Sequence, residues 1–146
     1  MDELSCRLIR VEHIDDVWTE VKPYIDRCVP HSEGELETED FYDFLANGEM
    51  QLWIAIDKSE TEDNEIIAAM ITQIIVYPRK RILRIIAIAG DEMDRWMHFL
   101  PEIEDRALEA GCTALEAWGR KGWLKVLTDW KCSYHVLTKD LKSRMH

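Results

Sequence analysis

The spacing of apolar and polar residues changes character several times along the chain, and each change predicts an element. Residues 5–11 (Ser-Cys-Arg-Leu-Ile-Arg-Val) are short, apolar and partly alternating, the mark of a strand. Ile14, Val17, Trp18, Val21, Ile25 and Cys28 then recur at the three- and four-residue spacing of an amphipathic helix. Pro23 lies inside that stripe, so a kink or split is expected there, because proline removes a backbone donor and crowds the preceding turn. Pro30 closes the region, and His31 to Glu37 is a polar, acidic loop with Gly34 in it. Thr38 is placed as an N-cap, with Glu39 and Asp40 in the first turn, where acids suit the helix dipole. Phe41, Phe44 and Leu45 give this second helix its apolar stripe, and Gly48 suits its end.

Strand patterns fill the middle of the chain. Met50–Asp57, Glu65–Tyr77 and Ile82–Ala89 are separated by short connections, which predicts an antiparallel meander. The near-continuous apolar run Ile82–Ala89 reads as a central strand covered on both faces. A helix follows, with Trp96, Leu100, Ile103 and Ala107 on its buried stripe, Pro101 breaking or bending it, and Gly111 capping it. Thr113–Trp118 is the next strand, and a strand–helix–strand unit of this length implies a parallel crossover. Trp123, Val126, Leu127 and Trp130 fit a last helix, and Cys132 to about Leu137 a last strand. The expected order is β-α-α-β-β-β-α-β-α-β. This is an α/β (α+β) fold with a mixed central sheet and helices on both faces, and residues 1–146 are expected to form one domain.

Charge narrows the range of partners. The net charge of −11 disfavours direct nucleic-acid binding, because a phosphate backbone repels such a surface. Acids concentrate in Glu33–Asp43 and Glu60–Glu65, and bases in Arg79-Lys80-Arg81 and Arg120-Lys121, all of which read as solvated turns or faces. No apolar run approaches the ~20 residues of a membrane span. The start, Met-Asp-Glu-Leu-Ser, lacks the basic and apolar regions of a signal peptide, so a cytoplasmic location without membrane association is expected. Cys6, Cys28, Cys112 and Cys132 are far apart and lack zinc spacing, which predicts buried free thiols and no metal.

The element order resembles the GNAT superfamily of acyl-CoA N-acyltransferases over nearly the whole chain. The segment Ala114-Leu-Glu-Ala-Trp-Gly-Arg-Lys-Gly-Trp-Leu-Lys-Val-Leu-Thr-Asp-Trp-Lys131, with the tail to Leu141, resembles small GNAT-like proteins of tailed bacteriophages. The superfamily resemblance implies that an acyl-CoA pantetheine arm pairs with the backbone of the fourth strand, here Ile86, Ala87, Ile88, Ala89 and Gly90. It also implies a glycine-rich diphosphate loop of pattern Arg/Gln-x-x-Gly-x-Gly/Ala after that strand. Here the stretch runs Ile88-Ala-Gly-Asp-Glu-Met-Asp-Arg-Trp96, with one glycine and three acids. Asp91, Glu92 and Asp94 would occupy the field that should bind phosphate, and Arg95 alone does not restore it. Many GNAT enzymes also use a tyrosine of the late helix to protonate the departing thiolate. That position falls on Leu127, which cannot transfer a proton.

Other candidate chemistry is sparse. His98 and His135 lack an accompanying nucleophile motif, and the Glu33–Asp40 acids lack EF-hand or H-E-x-x-H spacing. Gly119-Arg-Lys-Gly122 is not a phosphate loop of Walker type and reads as a strand-to-helix turn. Trp18, Trp96, Trp123 and Trp130 sit on helical stripes and Trp53 in a strand, all as core. Trp118, at the end of a strand, also reads as core, with the alternative that it lines the ligand cleft or partner surface that would open there in a GNAT fold.

The degenerate loop and missing tyrosine, with the phage resemblance, imply a non-catalytic virion or head-assembly protein without a cofactor. Its partners would be other phage proteins or further copies of itself, in the cytoplasm of the infected host cell or in the virion. The alternative reading is an acetyl-CoA-dependent N-acyltransferase acting on a cationic amine drawn to the acidic Glu33–Asp40 region.

Overall fold

A computed structural model describes residues 4–32, 34–57, 65–90, 97–117, 127–132 and 136–141. Five strands form one mixed sheet in the order β1 (Leu4–Ile9), β2 (Gln51–Asp57), β3 (Glu65–Val76), β4 (Arg81–Gly90) and β5 (Ala114–Ala117). The first four pair antiparallel with their neighbours, and β5 runs parallel to β4. The meander and the parallel crossover are both as the apolar pattern predicts. The sheet is staggered: β2 flanks the Glu65–Thr72 part of β3, whereas β5 flanks only Ile82–Ile85 of β4.

Strand alternation sends side chains to two cores. On one face Leu52, Ile54, Ile56, Ala69 and Ile71 pack against α1 (Ile14–Cys28) and α2 (Thr38–Ala46) through Val21, Ile25, Phe41 and Leu45. On the other, Trp53, Met70, Leu83 and Ile85 pack against Ile103 and Ala107 of α3 (Leu100–Glu109). Helices thus cover both faces, which is why β2 and β4 carry almost unbroken apolar runs.

Two prolines act otherwise than expected. α1 runs unbroken through Pro23. Both Pro23 and Thr19 are exposed, so water can replace the hydrogen bond that the Thr19 carbonyl loses. Pro101 does not break its helix. It stands in the first turn of α3, after a short 3₁₀ turn at Met97–Phe99, where a missing N–H costs nothing. The residue before α2 also shifts by one. Glu37 is the N-cap, its N–H donating to Asp40 at 2.9 Å, because Thr38 directs its hydroxyl to the Asp26 carboxylate on α1. Tyr42 donates to Asp15, and its ring meets Trp18 edge-on at 5.0 Å, so α1 is tied to α2 near both of its own ends.

The described parts of the expected last helix and strand are a turn at Leu127–Trp130, closed by a 3.2 Å bond from the Trp130 N–H to the Leu127 carbonyl, and irregular chain over 131–132 and 136–141. The remainder, with Trp123, Tyr134 and His135, lies outside the described residues. No helix among the described residues is long and apolar enough to cross a membrane.

Candidate functional site

The candidate site is the second half of β4. Residues Ile82 to Ile85 have β3 on one side and β5 on the other, in register Ile82↔Ala114 through Ile85↔Ala117. Immediately beyond, the β3–β4 register jumps: Ile71 pairs with Ala87 but Thr72 with Ile85. Ile86 is therefore an extra residue, a β-bulge. Ile86 and its neighbour Ala87 both pack on the α1–α2 face, whereas Ile88 lies on the α3 side beside Met97 and Phe99. Pairing with β5 ends where this bulge begins. Among the described residues, no strand flanks Ile86–Gly90 on the β5 side.

A bulge bends its strand and raises the local twist, and here it falls where the described β4–β5 pairing stops. Three of the five residues from Ile86 to Gly90, namely Ala87, Ala89 and Gly90, are small. Ala87 is buried, Ala89 and Gly90 are half-buried, and an extended ligand can lie close to the main chain. Gly90 has a packing reason of its own. A Cβ there would overlap the Ala68 Cβ and stand 3.0 Å from the Ile67 carbonyl oxygen, since Gly90 pairs directly with Ala68. This one glycine is required by the approach of β3, with or without a phosphate.

The entrance to this region is held by an ion pair. Arg84 of β4 and Glu116 of β5 are direct cross-strand partners, their side chains 14% and 26% exposed, and the guanidinium donates to the carboxylate. Arg84 also donates to the Tyr77 hydroxyl at 3.2 Å. The pair pins the parallel register one residue before it ends. The pairing of a cation with a carboxylate here is not visible from residue spacing, because the partners are 32 residues apart.

The other residues singled out by the sequence are not brought to this site, or fall outside the description. Leu127 is buried at the start of the Leu127–Trp130 turn. His98 is in the 3₁₀ turn before α3. Asp91, Glu92, Asp94, Arg95, Trp96, Trp118 and Gly119–Gly122 lie outside the described residues, as do Glu33 and the acids from Glu60 to Asp63. Among the described residues, no three His, Cys, Asp or Glu side chains converge.

The cysteines are all free, but they are not uniformly buried: Cys112 is buried, Cys6 and Cys28 half-buried, and Cys132 exposed. Cys132 follows the turn at Leu127–Trp130 in irregular chain, which offers no sheet to cover it. Cys6 borders a cavity of about 30 Å³ between the sheet and α3, with Trp53, Ile88 and Phe99. Burial there pushes its thiol up to about 12, with Glu102 adding to the rise and Arg106 opposing it.

The same arrangement of strands and helices occurs in solved acetyltransferases. A GNAT family acetyltransferase of Staphylococcus aureus superposes with a TM-score of 0.62 at 13% identity, covering 97% of this chain and 100% of that one. A predicted acetyltransferase of Clostridium acetobutylicum, solved with acetyl-CoA, gives 0.59 at 18% identity, covering 95% and 96%. An aminoglycoside acetyltransferase from an uncultured soil metagenomic sample, solved with sisomicin, gives 0.64 at 11% identity, covering 95% and 97%. No protein-family model matches the sequence, and no curated protein matches it. The chain therefore has the GNAT acetyltransferase fold. Nothing in these likenesses connects it to tailed phages.

Proposed function

We propose that this protein is an acyl-CoA N-acyltransferase of GNAT type with weak affinity for its acyl donor. The observation that carries the reading is the bulged end of β4, Ile86–Gly90, which has β3 on one side and no described strand on the other. Main-chain pairing along a strand is a ready way to hold an extended, amide-bearing ligand, and a pantetheine arm is such a ligand. Ile86, Ala87, Ile88, Ala89 and Gly90 would hold it by main-chain hydrogen bonds, which need no particular side chain. When bound, acyl-CoA would supply an activated thioester.

The chain's own residues shape the acceptor. Residues 28–57 contain no lysine or arginine, and Glu35, Glu37, Glu39, Asp40 and Asp43 are all exposed around the start of α2. Such a field concentrates cations, which favours a cationic amine over a neutral one. Leu127 supplies no proton, so the departing thiolate would draw its proton from water, and turnover would be slow. If the stretch after β4 meets the diphosphate, as the GNAT resemblance implies, its acids at 91, 92 and 94 would weaken binding: like charges about 4 Å apart repel by ~1 kcal/mol even in bulk water.

Calorimetric titration with acetyl-CoA at up to near-millimolar concentration, paired with a thiol-release assay on polyamines, tests the proposal. Weak saturable binding is expected. It should strengthen in Asp91→Gly/Glu92→Gly and with added salt, because both reduce the repulsion. Saturation without thiol release on any amine would favour a non-catalytic binding role. No saturation in the parent or the double glycine variant would overturn the reading.

A further inference from the structure

A second concavity lies at the opposite edge of the sheet, where β1 ends. It has a volume of about 440 Å³ and is built from the end of β1, the start of α1, the end of α2 and the start of β2, with Arg106 reaching in from α3. β1 and β4 are three strand spacings apart, ~14 Å, so this groove is separate from the proposed acyl-CoA site. Its volume falls within the ~300–1,000 Å³ of small-molecule sites.

The lining has a definite chemistry. Its accessible apolar surface comes from exposed Val11 and from half-buried Leu8 and Ile9 on either side of the end of β1, with Ile14, Leu45 and Met50 buried behind them. The polar groups are Arg10, Arg106 and Gln51, and no acid is among the described lining residues. In a chain with 29 acids and 18 bases, a groove lined by two arginines and by no acid among the described residues runs against the overall composition. Gln51 is also oriented. Its side-chain oxygen accepts from the Thr72 hydroxyl at 3.0 Å, and that hydroxyl accepts from the Trp53 indole N–H at 2.9 Å. The amide –NH₂ of Gln51 is thus the end left to serve a ligand, so all three polar groups present donors. Glu12 stands 3.8 Å from Arg10, but both side chains are largely exposed and solvent screens the contact.

We propose that this groove binds an amphipathic monoanion, an aliphatic chain ending in a carboxylate. The chain lies on that apolar surface, and the carboxylate meets Arg10, Arg106 and the Gln51 amide. Charge complementarity selects the class: a cationic head would meet two like charges, and a neutral head would leave both guanidinium groups unused.

Sodium octanoate, followed by methyl-selective NMR, tests this, with octanol as the neutral probe of the same length. Octanoate should give saturable shifts in the methyls of Leu8, Ile9 and Val11, and bind at least about tenfold more tightly than octanol. In Arg10→Glu/Arg106→Glu, affinity for octanoate should fall by about tenfold or more while octanol binding is unchanged. Both arginines are exposed, so the variant should fold. The octanoate–octanol comparison on the parent protein decides the matter even if it does not. Equal affinity for the two probes, shifts confined to other methyls, or a folded double variant that binds octanoate as the parent does would each overturn the proposal.

Discussion

The two halves of β4 differ in what lies beside them, although their sequences look alike. Ile82–Ile85 and Ile86–Ala89 are both runs of isoleucine, leucine and alanine interrupted at most once by a charged residue. The first half is a central strand, flanked by β3 and β5 and anchored by the Arg84–Glu116 pair. The second half begins with a bulge and has only β3 for a described neighbour. Apolar side chains specify burial above and below a sheet. They carry no information about whether the strand edge is filled. A site that uses main-chain groups can therefore sit within a stretch that reads as ordinary core.

The largest expected contrast between the halves is in stability. Ile82→Ala should destabilise the protein by about 2–5 kcal/mol, the usual range for truncating a fully buried isoleucine, since Ile82 is 2% exposed. Ile86→Ala, at a half-buried position, should cost clearly less, ~1 kcal/mol. Urea denaturation of the two variants checks the order, and equal costs would mean that the second half is enclosed as fully as the first.

Gly90→Ala sharpens the same comparison at the strand's end. A methyl group there meets the Ala68 backbone and Cβ, so a cost of about 1–3 kcal/mol is expected. If Gly90→Ala is neutral in denaturation, the close approach of β3 and β4 at Ala68 is not as described.

Arg84→Met removes one partner of the half-buried pair that closes the first half. The remaining Glu116 carboxylate is part-buried and loses its cation, with an expected cost of about 1–2 kcal/mol. In Arg84→Met/Glu116→Gln, part of that loss should be recovered. Strictly additive single costs would show that the pair does not hold β5 in register.

Much of this fold was legible in the sequence because periodicity reports faces. The stripe Ile14–Val21–Ile25 and the runs in β2, β3 and β4 gave helices, strands and a meander with boundaries close to those found. The parallel crossover followed from one helix between two strands. What escaped was set by contacts distant in sequence. The bulge at Ile86 depends on the register of β3, and the Arg84–Glu116 pair on the return of β5. Thr38 gave up its capping role to a carboxylate on α1. The prolines were misjudged because proline's cost depends on which carbonyl is stranded and whether water reaches it.

The smallest effects concern titration. The raised thiol of Cys6 binds its proton more tightly in the folded chain. Its contribution is complete below the ordinary thiol range and is lost as pH rises toward about 12. A thiol-exchange reagent at neutral pH should therefore modify exposed Cys132 well before Cys6 and Cys112, and mass spectrometry of the partly modified protein reads the order. Asp26 behaves in the opposite sense. The Thr38 hydroxyl, then Lys22, hold its carboxyl below the usual range, so its contribution is present above that range and is lost as pH falls through the lowered value. Thr38→Val should reduce stability slightly at neutral pH, with the difference from the parent vanishing in strong acid.

Amide hydrogen exchange along β4, with and without near-millimolar acetyl-CoA, tests the central claim most directly. If the second half of β4 receives the pantetheine arm, exchange should slow within Ile86–Gly90 on adding acetyl-CoA, while Ile82–Ile85, already paired on both sides, should be unchanged. Acetyl-CoA binding shown by calorimetry that leaves exchange in Ile86–Gly90 unaltered would contradict the account.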